Sequence, residues 1–272
     1  MDDLKDAGAS WDEDNDTGHY VNLLDDGTIA GAVSLRELPK DREAYDTALR
    51  AKGTDEYKQG YLPYAILDGW QQLRKDFANW RADDYAGARC DEAVEQQLIV
   101  RDLGVWGHFV GDGSQPLHVT VHFNGWGDYA NPNGYTQSHQ THSVFESEFV
   151  DRYVTSAEVS RYASIADNLP APHTLLSQQD VMAEIARYLL ATNAAVPQLY
   201  DIEKAGGFNT GSPQAIAFAA QRLGAGAAEL RDLAIWAWED SANDSVGYPA
   251  ERVSDIVSGK ARWPVITRPC AL

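Results

Sequence analysis

The chain has 272 residues, 44% of them hydrophobic, and a formal net charge of −19 at pH 7. That content suffices for one sizeable core, while the charge argues against a broad basic surface that grips nucleic acid through its phosphates. No apolar run approaches the ~18–20 residues of a membrane span, and the acidic start MDDLKDAG lacks the basic-then-apolar order of a secretory signal, so either export is absent or the numbering begins after a removed segment.

The first forty residues are poor in helix signals. The stretch ASWDEDNDTGHYVNLLDDGTIAG is crowded with Asp, Asn, Gly and Thr, which favour turns and local bonds to the backbone. Residues 41–51 predict a short helix ended at Gly53. Leu62, Ile66, Trp70, Leu73, Phe77 and Trp80 then recur at intervals of three and four, with Pro63 tolerated in the first turn, and predict a core-facing helix. Residues 91–112 predict another, in which Gly104, Gly107 and Gly111 weaken helix propensity and suggest a backbone or ligand in close approach.

Residues 119–141 read as a long loop rich in Asn and Gly, carrying Phe123, Trp126, Tyr129 and Tyr135. Loops beyond about 12–15 residues usually serve function, so these aromatics are candidates to wall a substrate cleft; pinning the loop to the body is the equal alternative. Thr155 and Glu158 form a capping-box pattern. Residues 178–196 predict an amphipathic helix stopped by Pro197, and Ser212 with Pro213 start a long alanine-rich helix through Ile216, Leu223, Leu230 and Ile235 to Trp238. No strand alternation, fixed-period repeat or linker appears, so the expectation is a single all-α domain over 1–272. Cys90 and Cys270 either close one long loop or stay as two thiols.

The chemistry concentrates between His108 and Glu146, which hold five of the seven histidines. His108 and Asp112 are four apart, as are His142 and Glu146, so on a helix each pair offers an imidazole nitrogen and a carboxylate oxygen on one face. Gly111, Gly113 and Pro116 break the first helix and let His118 turn back toward the same cavity. Nitrogen and oxygen donors without thiolates suit zinc best; manganese, iron and nickel fit the same set. His122 and His139 stand outside this spacing, as neighbours of the ligands or solvent residues.

The strings HFVGDGSQPLH and HSVFE resemble the superfamily of zinc-dependent phospholipases C and single-strand-specific nucleases of the S-one and P-one type. Their pattern is H-x-x-x-D, five residues, H, then after a variable loop H-x-x-x-D/E. GHYVN resembles that superfamily's H-[FY]-[VI]-[DN] segment, which adds His19 as a ligand after an early Asp; Asp3 comes closest in spacing, with Asp2, Asp6 and Asp12 as alternatives. The resemblance implies a zinc cluster at the bottom of a cleft, with His19, His108, Asp112 and the early Asp around one ion and His118, His142 and Glu146 around a second. Asp112 would bridge metals and is the catalytic candidate; Asn22, Trp126, Tyr129 and Tyr135 are substrate-binding candidates.

Two departures stand out. Family members begin with a Trp whose amino group and carbonyl bind a third metal, helped by a His in the first helix. Here Met1 is first and no His precedes His19, so either the sequence starts downstream of that segment or the third site is missing. No Arg before Arg36 matches the one the nucleases carry near the early Asp.

The resemblance implies phosphoester hydrolysis by a metal-bound hydroxide available near neutral pH. Glu146 and the run FVD at 149–151 lean toward the phospholipases; QPLH, HYVN and the acidic composition lean toward the nucleases. Single-stranded nucleic acid or 3′-nucleotides are the favoured substrates. Phospholipase C activity on glycerophospholipids is the first alternative, and a non-catalytic, metal-stabilised binding protein is the second. The expected protein is a monomer without a stable protein partner, secreted or periplasmic by resemblance.

Overall fold

A computed structural model describes residues 16–163 and 176–264, apart from the side chains of residues 89 and 90. The described chain is almost entirely helical, as expected, and its only strands are two short antiparallel hairpins, β1 (Thr28–Ile29) with β2 (Val33–Ser34) and β3 (Ser245–Val246) with β4 (Glu251–Arg252). A 3-10 turn over Thr17–His19 opens it. Asp41 caps α1 (Arg42–Arg50) by accepting from the Ala44 amide at 2.9 Å, and Asp55 caps α2 (Glu56–Gln59) in the same way.

The long helices α3 (Leu62–Ala86) and α4 (Arg89–Asp112) are joined by a tight turn in which Gly87 takes the left-handed conformation, and they lie against each other. Gly69 makes that approach possible: a Cβ there would stand 2.1 Å from Cδ1 of Trp106. The indole of Trp106 also donates to the Ile66 carbonyl at 2.9 Å. This contact sets where the far end of α4, with His108 and Asp112, comes to rest.

After a 3-10 turn over Pro116–His118 and the long loop, a helical run labelled α5 comprises Thr141–Ser143, a π-helical stretch Val144–Phe149, and Val150–Tyr153. Then follow α6 (Ser156–Ala163), α7 (Gln178–Asn193), α8 (Val196–Lys204), α9 (Gly207–Thr210), α10 (Pro213–Ser241) and α11 (Val253–Val257). The Thr155–Glu158 capping box is present, and Ser212 caps α10.

Two large apolar clusters carry the packing. The first joins Leu62, Ile66 and Trp70 of α3 to Val110 of α4, Ile185 and Leu189 of α7, Leu233 of α10, and Val21, Leu23 and Leu35 from the N-terminal coil. The second joins Leu117, Trp126 and Tyr135 to Phe145 and Phe149 of α5, Tyr200 of α8 and Phe218 of α10. Each fully buried aliphatic or Phe side chain contributes ~1.5–3 kcal/mol. Leu117 belongs to one cluster and Val119 to the other, so His118 is clamped where the two meet.

Several expectations are corrected. The helix from residue 178 ends at Asn193, not 196, because Pro197 cannot tolerate a helical carbonyl four residues back; Pro197 instead lies in the first turn of α8. On α10 the buried face is Phe218, Ala219, Leu233 and Trp236, while Leu223 and Trp238 are more than a third exposed. A Cβ at Gly104 or Gly111 would meet nothing within 4 Å, so of the three α4 glycines only Gly107, 3.2 Å from Leu230, lies in tight contact. Asp2, Asp3, Asp6, Asp12 and the pairing of Cys90 with Cys270 lie outside the described residues or side chains.

Candidate metal centre

Six of the expected ligands meet in two groups, each able to hold a metal ion. In the first, Nδ1 of His19 lies 2.9 Å from Oδ2 of Asp112 and 3.1 Å from Nε2 of His108, and His108 Nε2 lies 3.5 Å from the same Asp112 oxygen. In the second, Nε2 of His118 lies 3.2 Å from Oε2 of Glu146 and 3.2 Å from Nε2 of His142, and His142 Nε2 is 2.7 Å from that oxygen. A tetrahedral ion with bonds of ~2.0–2.1 Å has ligand atoms about 3.3 Å apart. Both triangles are close to that size.

Local structure brings each side chain in. The four-residue spacing works as the helical repeat requires for His108 with Asp112 on α4 and for His142 with Glu146 on α5. On α5 the backbone passes into the π-helical stretch just before Glu146. His118 is brought back by the Pro116 turn. Its ring nitrogen Nδ1 bonds the His19 carbonyl at 2.7 Å, and its own carbonyl accepts from the Val21 amide at 2.9 Å. The Val121 amide donates to Leu23 at 3.0 Å, so residues 19–23 and 118–121 are tied side by side. This joins the His19 segment to a motif about a hundred residues further on.

The hydrogen bonds also settle ring states. A carbonyl oxygen only accepts, so His118 Nδ1, facing the His19 carbonyl, carries a hydrogen, as does His142 Nδ1, facing the Phe123 carbonyl at 3.1 Å. In the neutral rings both Nε2 atoms are then bare lone pairs, aimed at each other and at a carboxylate. Such a convergence needs a cation or a proton. It is also how metal-ligating histidines are held, with the second nitrogen donating to a backbone oxygen. In the first group the buried Nε2 of His19 has no hydrogen-bond partner among the described residues.

Electrostatics agree with the geometry. Burial pushes the Glu146 carboxyl up, but hydrogen bonds from His118, His142 and Gln115 outweigh it and hold the group well below the usual carboxylate range. Burial pulls His118 down, yet its bond to Glu146 and the Asp112 charge prevail and raise it. Between the groups lies Asp112, whose Oδ2 faces His19 and His108 while Oδ1 lies 3.8 Å from His118 Nδ1, the nitrogen bonded to the His19 carbonyl.

Gln115 is a site residue that the sequence did not single out. Its Oε1 accepts from the Leu117 amide at 2.7 Å, which orients the amide so that Nε2 donates to Glu146 Oε2 at 2.8 Å. The only signal was its position in QPLH beside the ligand His118.

A cavity of about 420 Å³ opens over the imidazoles, lined by His19, His118, His142, Asn22, Lys58 and Phe123 among others. Asn22 lines the cavity, and its amide donates to the Lys58 carbonyl at 2.9 Å. The other substrate-binding candidates need correction. Trp126 and Tyr135 are buried in the second core, where Trp126 stacks on His122 at 3.7 Å and the Tyr135 hydroxyl donates to Asp201 at 3.0 Å. Tyr129 is half exposed and sets its ring edge-on to His122. These rings pin the loop, because their apolar area is worth more buried than solvated. Of the loop aromatics it is Phe123, about half exposed, that lines the cavity. His122 is buried between the Trp126 carbonyl and Asp25, and His139 is exposed; neither joins a ligand group.

Comparison of the chain with protein-family models, with curated proteins and with solved structures finds no match. No described helix is long and apolar enough to cross a membrane.

Proposed function

We propose that this protein is a zinc-dependent phosphoester hydrolase acting on single-stranded nucleic acid or 3′-nucleotides. The observation that carries the proposal is the pairing of two neighbouring triads, each of two imidazoles and one carboxylate, with His19, His118 and His142 lining one cavity. The donor set is nitrogen and oxygen without thiolate, the triangles match tetrahedral zinc, and both Nε2 lone pairs of the second triad are fixed in place. Zinc held there would polarise a phosphoryl oxygen and bring the acidity of a water toward neutral pH.

The chain's own residues supply the rest. His19, His108 and Asp112 would hold one ion, and His118, His142 and Glu146 the other. Gln115 steers the Glu146 oxygen that faces both imidazoles. Asp112 would serve the first ion through Oδ2, and its Oδ1 lies 3.8 Å from the Nδ1 side of the His118 ring. Asn22 and the half-exposed Phe123 ring bound the cavity above; a ring so placed can stack on a nucleobase, an interaction worth ~1–3 kcal/mol per base. The chain carries a net charge of −19, and among the described residues Lys58 is the one cation lining this cavity. Two divalent ions would reverse the local sign. The motif resemblance points the same way.

The test is hydrolysis by the zinc-loaded protein of single-stranded DNA against a phosphatidylcholine analogue. Preferential cleavage of the DNA is expected. Preference for the lipid would reassign the enzyme as a phospholipase C, and cleavage of neither by protein that holds its zinc would leave a metal-stabilised binding protein.

A further inference from the structure

A second cavity, about 180 Å³, lies against the carboxylates of the two triads, with Asp112, Gln115 and Glu146 on its wall. Its volume is far above the ~15 Å³ that admits a single water. Across from these groups α10 contributes Ala219 and Arg222. The Nε of Arg222 is buried and has no hydrogen-bond partner, and no ion pair joins Arg222 to a described carboxylate.

That isolation sets it apart among the half-buried arginines of the described residues. Arg42 pairs with Glu56, Arg74 with Asp244, Arg187 with Glu184 and Arg231 with Asp232, while Arg81 bonds Ser241 and lies over the Trp238 ring. Burying a polar N–H without a partner costs free energy, so the orphaned Nε of the half-buried Arg222 calls for a reason. Burial pulls the Arg222 guanidinium down from its ordinary value, which reports the same cost. Facing Arg222, the carboxylates of Asp112 and Glu146 would repel an anion when bare, but they are the groups that bind cations in the centre proposed above.

We infer that this cavity is an oxyanion subsite, in which Arg222 takes a phosphate group whose other side faces the cations of the two triads. The planar fork of donors on Arg suits two oxygens of a tetrahedral phosphate, which an ammonium would meet as a point charge only. The inference rests on the metal-centre reading. It adds to it a residue 76 positions beyond Glu146, on a helix that supplies no ligand.

The test is calorimetric titration of inorganic phosphate into the zinc-loaded full chain and its Arg222→Gln and Arg222→Lys variants, with zinc content measured on the same samples. Expected are equal zinc in all three, phosphate affinity weakened about ten-fold or more by Gln, equivalent to ~1.4 kcal/mol, and partial recovery with Lys. An Arg222→Gln variant that keeps its zinc and binds phosphate as tightly as the wild type overturns the subsite alone. A wild-type protein that holds no zinc overturns the metal centre and the subsite together, and does so through the other readout.

Discussion

His118 and His142 face each other Nε2 to Nε2 at 3.2 Å, while the opposite nitrogen of each ring is bonded to a backbone carbonyl. Two neutral rings so held present two lone pairs to one point, and Glu146 adds a third. A divalent cation relieves the repulsion, and the fold then gains its binding energy. Chelation is expected to lower the Tm and added zinc to restore it. An ion at a thousand times its Kd adds ~4 kcal/mol, and each kcal/mol moves the Tm by about 2–4 °C at this size. A Tm indifferent to both treatments would mean that the triads are not metal sites.

Trp126 and Phe123 belong to one loop but do different work. Trp126→Ala would empty a buried stack on His122 and cost about 3–5 kcal/mol of stability. Phe123→Ala removes a half-exposed ring from the cavity wall, so it should leave the Tm within about 1 °C, as for a surface substitution. Its effect should fall on KM for single-stranded DNA, raised several-fold with kcat little changed. Denaturation curves and steady-state kinetics separate the two roles; a stable Trp126→Ala protein with a raised KM would return Trp126 to the cleft.

These two residues also mark where the sequence stops being legible. Helix periodicity alone pairs His108 with Asp112 and His142 with Glu146, because residues four apart must share a face, and both pairs meet in the structure. His118 follows from the break at Pro116. His19 is different: its partners lie 89 and 93 residues away, and only the motif resemblance brought it in. Which loop aromatics turn inward depends on contacts with Tyr200, far along the chain, and loop composition carries no record of them. Glycines are a partial cue on α4, where Gly107 alone lies in tight contact, while the approach between α3 and α4 uses Gly69, on the partner helix. Pro197 predicts a stop, and the helix does end, but at the residue whose carbonyl its ring would strike.

Gly69→Ala tests how the α3–α4 contact supports the centre. The new methyl would overlap Trp106, which cannot move without losing its bond to Ile66 and shifting α4. Overpacking of this kind costs about 1–3 kcal/mol. Because His108 and Asp112 ride on α4, zinc affinity should fall as well, whereas Gly104→Ala, into open space, should leave affinity unchanged and stability equal or slightly higher. Equal zinc affinity in both variants would show that the centre does not depend on this packing.

Glu229 gives a pH signature away from the site. It is buried on α10, and burial, with Glu184 nearby, pushes its carboxyl up to about 8 from 4.5 despite Arg187. The folded state therefore holds the proton more tightly than the unfolded state. That stability is fully present below about pH 4.5 and is lost as pH rises through about 8. Glu229→Gln should be the more stable protein at pH 9, by a few kcal/mol at most, with the difference shrinking toward pH 5. Urea denaturation at the two pH values checks this, and a difference that does not change with pH would contradict it.

The account stands on two cation sites, and counting tightly bound metal per chain after exhaustive dialysis tests them most directly. Elemental analysis of the wild type and of His108→Ala and His142→Ala should find one ion for each triad in the wild type and one fewer in each variant, with zinc the metal recovered. A folded wild-type protein that retains no divalent metal, or two variants that keep the full wild-type content, would contradict the central claim.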